Sequence, residues 1–114
     1  MHTIAPRFRP QPELVAVSDP HANLRDRVLN RVLCGDGDAD TSFRQAAASG
    51  EGVPADLQPL IDRIHRHAYK VTDEDIANAQ QKYGEDKMFE IVVSAALGAA
   101  NQRLQAGLRA LNEA

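Results

Sequence analysis

Cys34 is the only cysteine in the chain, so thiol chemistry would fall to it alone. It stands at the end of an apolar-periodic helical run that closes on Gly35, where the negative end of the helix dipole raises the cost of a thiolate. Arg31 is close enough in sequence to offset part of that cost, and the plainer role is a half-buried thiol that closes a helix. His65 and His67 are the candidates for proton transfer, because an imidazole titrates near neutrality. Two residues apart on a helix they diverge by about 200°, so they cannot share one metal ion as an i, i+4 pair does. Each borders the apolar stripe of its helix, a place where a histidine packs one edge and wets the other.

Asp36, Asp38 and Asp40 alternate as the first oxygen ligands of a calcium loop do. The pattern then fails, with Thr41 where the sharp turn needs glycine and Ala47 where a bidentate glutamate belongs, which leaves a polar turn ahead of a short helix carrying Phe43. Glu90 and Asn101 fall on the polar border of the last helix. Desolvation beside an apolar contact would raise the Glu90 pKa, or Arg103 or Arg109 of a neighbouring chain would pair with it. Tyr69, Lys70 and Tyr83 are surface or rim residues on this pattern. These residues imply neither a cofactor nor a metal.

The elements that must position them are helical. Residues 1–18 form a Pro-containing arm with Pro6, Pro10 and Pro12, and 19–114 form the helical domain; ELVAV at 13–17 is a short piece of either kind. Asp19 is the expected N-cap and Pro20 the first residue of a helix whose apolar positions are Leu24, Val28, Leu29, Val32 and Leu33. Ser42–Ala48 gives a short helix, broken by Gly50 and Gly52. A helix opened by Pro54 or Pro59 runs to about Val71 with Leu57, Leu60, Ile61, Ile64, Ala68 and Val71 as its buried stripe. Thr72 to Asp75 reads as a capping box for a helix from Asp73 to Tyr83, ended by Gly84 as a left-handed cap.

The last helix organises the rest. At about 100° per residue, Phe89, Val92, Val93, Ala96, Ala100, Leu104, Gly107, Leu108 and Leu111 make one apolar stripe, read as the core face. Met88, Ile91, Ala95 and Ala99 make a second apolar side, so the helix needs partners on two sides. The small residues from Ser94 to Ala100 allow another helix to come close, which accounts for Gly98.

A chain of 114 residues suits one domain with a real core. Hydrophobic residues are 43 % but aromatic ones only 4 %, which favours close-packed helices over a β-sandwich. The net charge of −3 makes nucleic acid or an anionic membrane surface a poor partner. One cysteine fits a reducing compartment, and no stretch has a leader's apolar region or transmembrane length, so a cytoplasmic location is expected.

RHAYKVTDEDI at 66–76 followed by KYGEDKMFEIVVSAALGAANQRLQAGLRAL at 82–111 resembles the C-terminal half of the alkylhydroperoxidase-D-like, or carboxymuconolactone decarboxylase-like, proteins. The shared pattern is a helix ending at Thr72 before Asp73, Glu74 and Asp75, then Gly84, then Asp86, Met88, Phe89 and Glu90 leading into the Ala-rich stretch. The resemblance implies a compact all-α single-domain helical bundle that oligomerises through its long C-terminal helix. It also implies a Cys-x-x-Cys pair near Pro54–Ile61, where PADLQPLI holds no cysteine, with His65 or His67 as the remaining relay histidine. The expectation is therefore a redox-inactive homo-oligomeric binding or accessory protein, with a small apolar ligand held between subunits. The alternative within the same family is an enzyme without the thiol pair, either a peroxidase-like antioxidant or a decarboxylase-like acid/base catalyst, using His65, His67 or Cys34. A helical adaptor that captures a different protein is the rival outside it.

Overall fold

Five α-helices follow one another in the computed structural model, which describes residues 20–113: α1 (Ala22–Cys34), α2 (Thr41–Ser49), α3 (Gln58–Arg66), α4 (Asp73–Tyr83) and α5 (Glu85–Glu113). Among the described residues there is no strand. The arm at 1–18 with its ELVAV piece and the Asp19 cap lie outside the described residues.

Local chemistry sets most of the helix ends. Pro20 and His21 form a turn ahead of α1 instead of its first residues, and α1 closes on Gly35, whose N–H reaches the Arg31 carbonyl. Gly50 caps α2 with φ 90 and ψ 0, a left-handed conformation that a glycine adopts without strain. Pro59 lies in the first turn of α3, where its missing N–H does no harm. That helix stops at Arg66, short of Val71, because His67 leaves helical geometry at φ −143. A single 3-10 turn, Ala68–Lys70, follows and returns Val71 to the edge of the core while Ala68 stays exposed. Thr72 and Asp75 exchange side-chain to backbone hydrogen bonds of 3.1 Å each, the reciprocal capping box. Gly84 has a positive φ, but its ψ of 155 is extended and not left-handed helical, so the chain passes directly into α5.

The core lies where α3 and α5 meet under α2. Leu57, Leu60, Ile61 and Ile64 pack on Met88, Ile91 and Ala95, with Ala47 closing the top. α5 buries the opposite face from the one its longest stripe suggests. Its buried residues are Met88, Ile91, Ser94, Ala95, Gly98 and Ala99, whereas Phe89 is 68 % and Leu111 58 % exposed. The deciding feature is Gly98, where a Cβ would stand 2.5 Å from the Ala48 Cα; only that side of α5 admits the α2 backbone.

α5 has 29 residues, and none after Ala99 is buried, so its C-terminal half extends beyond the body. The extents are 51 × 30 × 21 Å and the radius of gyration is 16.6 Å, where a chain this long in a spherical domain would show about 13 Å. α1 lies beside this extension and buries no residue fully. None of the helices in the described residues is long and apolar enough to cross a membrane.

Candidate functional site

Among the described residues the most buried charge belongs to Arg44 of α2, whose side chain is 4 % exposed. Its guanidinium donates to the carbonyls of Val32 (2.7 Å), Gly35 and Ala39 (3.0 Å), and so draws the end of α1 and the following loop onto α2. The carboxylate of Glu90 on α5 holds the same loop from the other side, accepting from the N–H groups of Asp38 (2.8 Å) and Ala39 (2.9 Å). Its Oε1 is 3.9 Å from Arg44 Nε. A Cβ on Gly37 would come within 2.6 Å of that oxygen, so a side chain there would push the Glu90 carboxylate aside. Amides of Ala39 and Asp38, more than Arg44, hold the Glu90 carboxyl below its ordinary value. The rise foreseen from desolvation is outweighed, and within the chain the arginine beside it is Arg44. The loop turns backbone donors toward an anion, and among the described residues no three His, Cys, Asp or Glu side chains are grouped for a metal ion.

Three candidate catalytic side chains sit in three separate settings. Cys34 is exposed at the end of α1, with Gln45 Nε2 donating to its Sγ at 3.4 Å. His65 Nε2 is 2.9 Å from the Ala47 carbonyl, and the ring lies 3.4 Å from the Cβ position of Gly50. It therefore ties α3 to the end of α2, while its own carbonyl accepts from the Arg103 guanidinium. His67 is exposed beyond α3, edge-on to Tyr69 with ring centroids 5.9 Å apart.

Between α3 and α4 lies a polar cleft of about 280 Å³, lined by Asp56, Leu60, Arg63, Asp75, Lys82 and Tyr83 among others. Asp56 accepts from Lys82 Nζ at 2.6 Å and from the Tyr83 hydroxyl at 2.9 Å, and Arg63 Nη1 is 3.2 Å from Asp75. Lys82 and Tyr83 lower the Asp56 pKa, while Asp56 in turn raises that of Lys82. Burial and then Asp56 raise that of Tyr83, and the backbone N–H of Thr72, aided by Arg63, lowers that of Asp75. Every one of these groups is driven away from neutrality, which suits ion pairing and not proton transfer at pH 7. The sequence offered no signal for the pairing, since Asp56 and Lys82 belong to different elements with no shared motif; Asp75 was legible only as a helix cap and Tyr83 only as a rim residue.

A second cleft, of about 260 Å³, runs between α1 and α5. Its walls are Val28, Leu29, Leu97, Ala100 and Leu104, with Arg25 and Asn101 at the edges. It is continuous with the outer stripe of α5 through Ala100 and Leu104. Together they leave a continuous apolar surface open, the kind of surface that binding sites use.

No family model, curated protein or solved structure matches this chain.

Proposed function

We propose that this protein is a homo-oligomeric binding or accessory protein on the alkylhydroperoxidase-D-like plan, without that family's thiol chemistry. The observation that carries the reading is the open apolar cleft between α1 and α5, continuous with an outer α5 stripe on which Phe89 is 68 % and Leu104 41 % exposed. A monomer gains nothing from leaving such a surface to water; a subunit interface with a small apolar ligand beside it accounts for both. The kinship is supported by the reciprocal Thr72–Asp75 cap and by a small-residue centre in α5 that lets Ala48 approach Gly98. The settings of the candidate catalytic residues agree with binding: the His65 imidazole is engaged by a backbone carbonyl, and the Gln45 amide donates to the Cys34 sulfur.

Light scattering at micromolar concentration is expected to give a multiple of the monomer mass, with anilinonaphthalene sulfonate fluorescence rising on binding the cleft. A monomeric mass would overturn the reading. So would peroxide turnover, with an added reductant, that disappears in Cys34→Ser.

A further inference from the structure

Gly107 has open space where a side chain would stand, with nothing within 4 Å of its Cβ position. Glycine weakens the middle of a helix, and no close approach inside the protomer requires it there, in contrast to Gly98 under Ala48. About five turns earlier on the same outer face, Phe89 stands 68 % exposed. One residue is a knob without a hole, and the other a hole without a knob.

We infer that the outer face of α5 receives a second copy of this chain in antiparallel, Phe89 of one protomer entering the gap at Gly107 of the other. This rests on the self-association proposed above and specifies its register. In a two-fold antiparallel pair each step forward on one helix is a step back on the other. Fixing Phe89 against Gly107 therefore sets Ala96 against Ala100 about two turns further in, at the axis, where small residues let the helices come closest. Val93 then lies beside Leu104. Parallel pairing would set phenylalanine on phenylalanine and leave both gaps empty. The antiparallel arrangement also opposes the two helix dipoles. A stable complex buries about 800 Å² per partner, so the exposed Val28 of α1, which lines the α1–α5 cleft, and the exposed Leu24 one turn before it extend the contact.

The test is the dissociation constant by sedimentation equilibrium. Gly107→Leu meets nothing within its own protomer and improves helix propensity, so helix content by circular dichroism is kept or raised while self-association weakens by about tenfold or more. Phe89→Ala weakens it similarly, and combining Phe89→Ala with Gly107→Leu restores it, since the knob has moved to the other side of the same contact. An unchanged constant in Gly107→Leu would overturn this register and leave self-association by another face standing. A wild-type monomer would overturn both this register and the self-association it rests on.

Discussion

Arg44 Nε and Glu90 Oε1 stand 3.9 Å apart across the loop that joins α1 to α2, and each holds that loop by its backbone. Arg44 takes its carbonyls and Glu90 takes its N–H groups, so the two side chains satisfy opposite halves of one turn. Arg44→Met keeps most of the volume but leaves the carbonyls of Val32, Gly35 and Ala39 without their donor. A loss of about 3 kcal/mol is expected, since removing one member of a buried charged network uncompensates the rest. Glu90→Gln retains one acceptor and is expected to lose about 1–2 kcal/mol. Urea unfolding measures both, and a near-neutral Arg44→Met would remove the clamp as the organiser of α1.

Three carboxylates, one in this clamp and two in the α3–α4 cleft, predict an acid limit. Glu90, Asp56 and Asp75 all have folded pKa values below their ordinary ones, the first through backbone amides, the second through Lys82 and Tyr83, the third through the Thr72 amide. A carboxyl lowered by folding stabilises the fold at any pH above its unfolded value and loses that contribution as pH falls through the folded one. Stability is therefore level near neutrality and declines below about pH 4.5. Glu90→Gln should make that decline shallower when unfolding is followed as a function of pH. Equal slopes in wild type and variant would show that Glu90 does not titrate differently in the two states.

Gly98 and Gly107 lie on one helix and predict opposite outcomes. A methyl on Gly98 meets the Ala48 backbone, which no rotamer change relieves, so Gly98→Ala forces α2 from α5 and costs about 3 kcal/mol or more. Gly107→Ala meets nothing and gains about 0.5–1 kcal/mol in the protomer from backbone entropy. Thermal unfolding at low protein concentration separates them, and a tolerated Gly98→Ala would refute the helix crossing that selects the buried face of α5.

That crossing also marks where the sequence stops being legible. Helices α2, α4 and the end of α1 announce themselves through turn chemistry, with the Thr72 box and the glycines at 35 and 50 acting on their immediate neighbours. The choice between the two apolar faces of α5 is not local. Periodicity favours the side bearing Phe89 because it carries more and larger apolar residues, yet packing selects the side where Gly98 meets Ala48. Arg44 was invisible for the same reason: its partners lie at the end of α1, in the loop before α2 and on α5, and no spacing along the chain connects them. The α3–α4 cleft depends likewise on a pairing of Asp56 with Lys82 that exists only once α4 has folded back.

His65 and His67, two residues apart, supply the last contrast. His65 Nε2 bonds the Ala47 carbonyl at the end of α2, and its ring packs over Gly50, so removing it leaves a carbonyl without its donor at a helix terminus. His67 has an exposed ring against an exposed Tyr69. His65→Ala is therefore expected to lower stability by about 1–2 kcal/mol, and His67→Ala to stay within about 0.5 kcal/mol of wild type. Urea midpoints give the comparison directly. Equal effects of the two substitutions would show that the bond from His65 to the Ala47 carbonyl does not hold α3 to α2.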